Sequence, residues 1–341
     1  MSNPARGYFL KGVTIMQSFL GVDVSKAKLD VALLLPTGKY RSKVFANDLQ
    51  GFNSLVQWLQ ANAPGGVAEV HVCMQATGSY HEALACFLHD QDATVSVVNP
   101  LLVKHFAEVN RQRNKTDGAD AKCLAMFCLT QNPARWEAPS PGVRALQALV
   151  ARLDALQVMR QTECNRLDVA HASVVASVGA VLANLEQAIE RVKAQIARTI
   201  NDDPDLKARA NLLRTVPGLG DKTIPQLLAY IGRPERFKSV KAVIAFASLT
   251  PMIRKSGTSL DKHRGTHPMG HQELKRMLYF PAMVAGRYNP LVAAFWARLK
   301  AQNKPGKVIV VACMHKLLAI AYGVLRSGKP FDVNHSKPNQ A

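Results

Sequence analysis

Residues 18–129 combine three strand-like segments with a following alternation of helices and strands, and this order constrains the fold more than any other feature. The first three segments are apolar or β-branched and are joined by short turns, which predicts an antiparallel meander. Beyond them the apolar spacing changes repeatedly between helical and strand periods. We therefore predict an α/β domain in which helices cover a mixed sheet. The predicted strands are residues 18–24, 29–35, 42–45, 69–74 and 94–98, and the predicted helices are residues 49–60, 79–89, 101–109 and 117–129.

Three aspartates occupy conspicuous positions in this pattern. Asp23 lies within the apolar first strand, where a carboxylate is unfavourable unless it is paired, hydrogen-bonded or bound to a metal. Asp117 and Asp120 are three residues apart at the start of a helix, so their side chains share a face. Such a pair is also typical of a helix cap or of a favourable interaction with the helix dipole. The additional presence of Asp23 favours a metal site.

The order of elements fits a ribonuclease-H-like fold. Active-site carboxylates of that fold lie on the first strand, at the end of the fourth strand and on a late helix. Asp23 and the pair Asp117 and Asp120 match the first and third of these positions. The end of the fourth strand carries Gln75 where a carboxylate is expected.

Positive charge is concentrated in the last part of the chain. The net charge is +19, and residues 205–341 contain 23 Lys and Arg against 6 Asp and Glu, which gives this segment +17. Residues 16–140 and 141–204 are each neutral. Clustered positive charge predicts a polyanionic partner, and we expect double-stranded DNA. A generic basic surface and an anionic membrane are the alternatives.

The chain length of 341 residues predicts two domains, or one domain with an extended helical piece. We expect a helical arm at residues 141–204. Aliphatic residues at three- and four-residue spacing predict two long helices in the arm, broken near residues 177–179. They form either a coiled-coil arm or an ordinary helical hairpin. The predicted parts are a disordered extension at residues 1–15, a resolvase-like metal domain at 16–135, the arm at 141–204, a mainly α basic domain at 205–333 and a tail at 334–341.

The basic domain contains two candidate DNA-contacting motifs. Gly218 and Gly220 in a Pro-Gly-Leu-Gly turn permit positive φ and close approach, and Lys222 begins the next predicted helix. This pattern is typical of a helix-hairpin-helix clamp on a phosphate backbone, with a plain helix–helix turn as the alternative. Farther along, Ser256 lies in a basic, glycine-containing segment, either as a phosphate contact or as a nucleophile. The basic residues expected to bind nucleic acid around it are Arg254, Lys255, Lys262 and Arg264.

The six cysteines form no C-x-x-C pair, so we expect reduced core thiols and no zinc site. We also see no apolar run of about 18 residues that would span a bilayer. We therefore expect a cytoplasmic protein without a membrane partner.

Motifs spread over residues 18–333 resemble the DEDD transposases of the bacterial insertion-sequence family numbered one hundred and ten, which are recombinases guided by a bridge RNA. The resemblance implies a Mg²⁺-binding resolvase-like domain, an arm used to assemble a dimer or tetramer, and a C-terminal domain whose serine attacks DNA. The motifs are Gly21-Val22-Asp23-Val24-Ser25-Lys26, Leu29-Asp30-Val31, Ala76-Thr77-Gly78-Ser79-Tyr80, Val97-Val98-Asn99-Pro100, Asn114-Lys115-Thr116-Asp117 with Asp120-Ala121, Pro217-Gly218-Leu219-Gly220, and Leu249-Thr250-Pro251 leading to Ser256-Gly257.

Residue by residue, the resemblance implies that Asp23, Asp117 and Asp120 are catalytic metal ligands and that Ser256 is the nucleophile. The family's glutamate falls on Gln75, which offers a carbonyl oxygen but no charge, so we expect weaker Mg²⁺ binding. Glu82 is a candidate substitute. The implied activity is cutting and rejoining of DNA at sites selected by a noncoding guide RNA, with the acids and the serine meeting in a composite site. The alternatives are a metal-dependent nuclease that uses water and a nucleic-acid-binding relative weakened by Gln75.

Overall fold

The computed structural model describes residues 17–76, 80–110, 116–256, 260–267 and 269–336. The contacts within the chain divide it into two units, residues 1–138 and 139–341. The finer division into an extension, an arm and a tail stays a prediction.

The first unit contains a five-stranded mixed sheet in the order β3-β2-β1-β4-β5. The first three strands pair antiparallel as a meander, and β4 and β5 continue the sheet in parallel with β1. The predicted mixed sheet is therefore confirmed. The strands are β1 (Ser18–Val24), β2 (Lys28–Leu34), β3 (Tyr40–Ala46), β4 (Val70–Gln75) and β5 (Thr94–Val98).

Helices cover both faces of this sheet. Alternate residues of a strand point to opposite faces, and the two resulting apolar sets lie in two separate clusters. The cluster that includes Leu20 and Val22 packs with helices α1 and α2, and the cluster that includes Phe19 and Cys73 packs with α3 and α4. The helices are α1 (Leu49–Asn62), α2 (Glu82–His89), α3 (Pro100–Val109) and α4 (Asp117–Gln131).

The second unit is mainly helical, as predicted, and contains one short β-hairpin. Its core gathers residues from most of its helices, with α13 contributing the longest buried stretch. Its elements are α5 (Pro141–Leu167), α6 (Ala172–Asp202), α7 (Pro204–Arg214), α8 (Ile224–Ile231), α9 (Val240–Phe246), β6 (Pro251–Ser256), β7 (Leu260–Thr266), α10 (Gln272–Met277), α11 (Tyr279–Tyr288), α12 (Pro290–Ala301) and α13 (Gly306–Ser327).

The predicted break in the helical arm is misplaced. The chain leaves the helix after Leu167 and α6 begins at Ala172, whereas Gly179 lies inside α6. A glycine within a helix costs only about 1 kcal/mol relative to alanine, which the rest of a long helix tolerates. The side chain of His171 accepts a hydrogen bond from the backbone N–H of Ser173 and caps the new helix.

Two described helices, Ala172–Asp202 and Gly306–Ser327, are by length and composition apolar enough to cross a membrane. The expectation that no such run exists is therefore wrong. More than half of the apolar stretch of Gly306–Ser327 is buried in the core of the second unit, as in core helices of many proteins. The six cysteines are free, and all except Cys164 are buried, as expected for core thiols.

Candidate active site

The register of the sheet brings three polar residues to one end of one face. Asp23 of β1 pairs directly with Asp30 of β2. The last β1–β4 pair is Val22 with Met74, so Asp23 and Gln75 are the next residues on neighbouring strands. Residues at matched positions point to the same face. Asp23, Asp30 and Gln75 therefore share the face that α4 covers.

Gly21 allows α4 to approach that face closely. It precedes Asp23 by two residues and points to the same side of β1. A Cβ atom at residue 21 would overlap the carbonyl oxygen of Ala121 and the backbone nitrogen of Ala125. The helix backbone thus lies directly on the strand, and the start of α4 reaches the acidic end of the sheet.

Asp117 and Asp120 occupy the first turn of α4. The hydroxyl of Thr116 caps the helix by accepting a hydrogen bond from the backbone N–H of Ala119 at 3.3 Å. The first turn is the positive end of the helix dipole, where carboxylates are favoured. The cap and metal-ligand interpretations are therefore compatible, because the hydroxyl of Thr116 performs the capping.

Lys28 connects the helix to the sheet. Its Nζ lies 2.7 Å from Oδ2 of Asp117 and 3.0 Å from Oδ2 of Asp30. The hydrogen bond and charge of Lys28 lower the pKa of Asp117 below its usual value, and the hydrogen bonds to Asp117 and Asp30 raise the pKa of Lys28. Neither Lys28 nor Asp30 was predicted from the sequence as a site residue. Asp30 had a detectable signal, because it is a second lone carboxylate in an apolar strand.

The electrostatics of Asp23 identify it as the centre of the cluster. Burial raises the pKa of Asp23 above its ordinary value of 3.8, and the charges of Asp120, Asp117 and Asp30 raise it further, while Lys28 opposes them. Four carboxylates thus act on one another around a single lysine. Such convergence of negative charge is typical of a cation site or of an acid–base site.

Carboxylate and amide oxygens are the ligands that hard divalent cations prefer. The chemistry of the acids and Gln75 therefore fits a metal such as Mg²⁺. Within the described ranges, however, no three His, Cys, Asp or Glu side chains are arranged as a ready metal cluster. The ammonium group of Lys28 lies against two of the carboxylates, those of Asp30 and Asp117. Glu82, the candidate substitute for a fourth acid, begins α2 with an exposed side chain.

The segment that carries Ser256 forms the β6–β7 hairpin, in which Ser256 pairs with Leu260. Residues 257–259 lie outside the described residues, and so do the side chains of residues 253–256 and 260–264. The predicted roles stay predictions for Arg254, Lys255, Ser256, Lys262 and Arg264.

The glycines of the Pro-Gly-Leu-Gly turn serve different purposes. Gly218 has a φ of +101°, and a Cβ atom there would lie 2.6 Å from Cβ of Ala285 on α11. Gly218 therefore permits close packing inside the unit. Gly220 has open space around it, and Lys222 is exposed. The carbonyl of Gly220 accepts hydrogen bonds from the N–H groups of Thr223 and Ile224, which leaves fewer amides for a phosphate.

An acidic cluster on a mixed sheet, followed by a strongly basic helical unit, defines an enzyme that acts on nucleic-acid phosphodiesters. Two models of known protein families match the chain. Residues 20–173 match a family model described as a transposase, of the DEDD type of IS110, and residues 210–297 match a model described as Transposase IS116/IS110/IS902 family. The chain belongs to this transposase family.

Its relatives include two proteins named for the inversion of a pilin gene. The chain is 33% identical over 318 residues to pilin gene-inverting proteins of Moraxella lacunata and Moraxella bovis, covering 93% of this chain and 98% of each relative. It is 24% identical over 157 residues to an uncharacterized 43.6 kDa protein of insertion element IS110 from Streptomyces coelicolor, covering 46% of this chain and 37% of that protein. The protein is a DNA-binding enzyme of the transposase and recombinase class.

Proposed function

We propose that this transposase cuts and rejoins DNA through Ser256, assisted by Mg²⁺ at Asp23, Asp117, Asp120 and Gln75. The observation that carries the proposal is the convergence of Asp23 and Gln75 with the first turn of α4, which packs directly on Gly21 of the same sheet face. The carboxylates there repel one another, and a bound divalent cation would relieve that repulsion. Metal dependence is general in the family, and Mg²⁺ is the ion we propose.

The roles of the residues follow from this assignment. The oxygens of Asp23, Asp117, Asp120 and Gln75 would hold the metal, which would supply charge stabilisation at the scissile phosphate. The hydroxyl oxygen of Ser256 attacks phosphorus while the 3′-oxygen leaves and takes up a proton, so that a 5′-phosphoserine bond forms. Rejoining reverses this exchange with a new 3′-hydroxyl. The acids and Ser256 belong to different units, and we propose that they act on the same phosphodiester.

Nucleic-acid binding is assigned to the basic second unit. Residues 205–341 carry a net charge of +17, which suits contacts to the phosphate backbone rather than to base edges. We propose that Gly220 and Lys222 contact duplex DNA in a helix-hairpin-helix-like manner and that Gly218 supports this turn from within. Arg254, Lys255, Lys262 and Arg264 are proposed to surround the reacting phosphate.

We propose that a noncoding guide RNA selects the DNA sites at which the protein acts, because protein contacts to the DNA backbone carry little sequence information. The active assembly is proposed to be a dimer or tetramer. The pilin gene-inverting relatives support inversion as one outcome of the recombination, beside insertion.

The test is a search for a protein–DNA adduct. The protein is incubated with Mg²⁺, flanking noncoding RNA and matching DNA, denatured, and analysed by mass spectrometry of its peptides. We expect DNA attached to Ser256, no adduct in Ser256→Ala, and an undiminished adduct in the matched variant Ser259→Ala. Free DNA ends without an adduct would instead assign the protein as a nuclease that uses water.

Gln75 provides a second arm of the same test. Gln75→Glu adds a carboxylate where the family has one, so adduct formation should increase if Mg²⁺ occupancy limits the reaction. Binding without cleavage in both proteins would assign the chain as a nucleic-acid-binding relative that has lost catalysis.

A further inference from the structure

One face of α11 exposes aromatic rings to solvent. Phe280, Val284 and Tyr288 are four residues apart and therefore lie along one side of the helix. Phe280 is 73% exposed and Tyr288 is 70% exposed. Arg287 follows Phe280 by seven residues and shares this side. We call the exposed residues Phe280, Met283, Val284, Arg287 and Tyr288 the α11 face.

The opposite side of α11 packs into the core of the second unit. The α11 face is not used in that packing. Ala282 and Ala285 are fully buried, and Gly218 packs against Ala285. Neither Phe280 nor Tyr288 is needed for that packing. Exposed apolar residues that form a group, rather than being scattered singly, indicate a binding surface.

The segment of the chain that contains α11 carries charge of one sign. Residues 274–331 contain ten Lys and Arg and no Asp or Glu. The nearest preceding acid, Glu273, forms a 3.0 Å ion pair with Arg276. Throughout the described part of the chain, no acidic group lies within ion-pair distance of Arg287. Exposed rings therefore stand beside a guanidinium group that is available to a phosphate or a base.

This combination favours one partner over the others. Aromatic side chains stack on unpaired bases, and arginine adds phosphate contacts and cation–π stacking. Bases within a duplex already stack on one another and are not available to side chains on a helix surface. A second copy of this chain would bring another strongly positive segment against the face, which like-charge repulsion opposes.

We propose that the α11 face binds unpaired nucleotides of single-stranded DNA, because DNA is the partner that the transposase family of this chain implies. Phe280 and Tyr288 stack on the bases, and Arg287 contacts the backbone between them. This inference does not depend on Ser256 or on the acid cluster, because it concerns binding and not strand transfer.

The test measures binding by the full-length protein in EDTA, so that cleavage does not contribute. Fluorescence anisotropy would follow labelled oligodeoxythymidine, oligouridine and a duplex, each of about 20 nucleotides or base pairs. We expect the double variant Phe280→Leu with Tyr288→Leu to weaken binding of the single strands at least about tenfold, and binding of the duplex by less than about twofold. Tighter binding of oligouridine than of oligodeoxythymidine would overturn the assignment to DNA and assign the α11 face to RNA.

Matched variants separate stacking from apolar contact. Leucine keeps the apolar character but lacks a ring, whereas Phe280→Trp with Tyr288→Trp keeps stacking and should retain near wild-type affinity for single strands. Circular dichroism checks that all variants fold. Equal losses for duplex and single strands, or no loss for either, would overturn the proposal. A smaller oligomer in light scattering for the leucine variant would assign the face to a second copy instead.

Discussion

At the scale of single residues, Lys28 and Asp117 form a 2.7 Å ion pair in the acid cluster. The ammonium group of Lys28 stands where a cation would be attracted, so it competes with a metal for Asp117. We predict that Lys28→Met raises the affinity for Mn²⁺, used as a probe for Mg²⁺, by about two- to fivefold, the range expected for an exposed ion pair. Electron paramagnetic resonance of free Mn²⁺ measures this directly.

Lys26→Met provides the control for Lys28→Met, because Lys26 is an exposed lysine two residues away. Its replacement should change the affinity for Mn²⁺ much less. Equal effects of both variants would mean that the net charge of the region, and not the Lys28 contact, controls metal binding.

The protonation of Asp23 should make folding stability depend on pH. Burial and neighbouring carboxylates raise its pKa in the folded protein above 3.8, so the folded state binds this proton more tightly than the unfolded state does. The resulting stability is present at low pH and is lost as the pH rises through the raised pKa. In EDTA, we predict that Asp23→Asn is more stable than the wild type at neutral pH, by less than about 1 kcal/mol because solvent screens the charges around this half-buried carboxylate.

Urea unfolding of the wild type and Asp23→Asn between acidic and neutral pH measures this difference. It should shrink as the pH falls toward the ordinary value of 3.8. Asp90→Asn, at an exposed site of the same unit, controls for the loss of a negative charge. A stability difference that stays constant with pH would exclude Asp23 as the titrating group.

At the scale of elements, the contact between β1 and α4 positions the acids. We predict that Gly21→Ala destabilises the protein by about 3 kcal/mol, because its Cβ atom overlaps backbone atoms of α4 that cannot move independently. The matched control is Gly118→Ala, in the first turn of α4, where a Cβ atom meets open space. That variant should be neutral or stabilised by up to about 1 kcal/mol. Thermal unfolding of both variants distinguishes the outcomes, and similar melting temperatures would contradict the close contact.

The elements also explain what the sequence could predict. The bounds of β1 and β5 agree with the prediction because buried strands in such a sheet show their burial in a local apolar pattern. The break after Leu167 and the β6–β7 hairpin were missed because a capping histidine and a basic hairpin produce no apolar periodicity. The Lys28 contacts with Asp30 and Asp117 could not be predicted, since they depend on how α4 docks on the sheet.

At the scale of the whole molecule, the acid cluster and the excess positive charge belong to different units. A substitution in the acid cluster should therefore change strand cleavage without changing the affinity for DNA. We predict that Asp23→Asn leaves the affinity for duplex DNA within about twofold of wild type and abolishes strand cleavage. The carboxylate of Asp23 takes part in the reaction at the scissile phosphate and not in the contacts that bind the DNA backbone. Anisotropy and a cleavage assay on the same preparations measure both quantities.

Salt should weaken the binding of duplex DNA by the basic second unit. With a net charge of +17 on residues 205–341, six or more phosphate contacts would reduce duplex affinity by about a thousandfold or more between roughly 50 and 200 mM salt. The slope of the logarithm of duplex affinity against the logarithm of salt concentration should be the same for Asp23→Asn as for the wild type, because counterion release depends on lysines and arginines. A shallow slope would mean that most of these cations do not contact DNA, and a slope altered by Asp23→Asn would mean that the acid cluster takes part in binding as well as in chemistry.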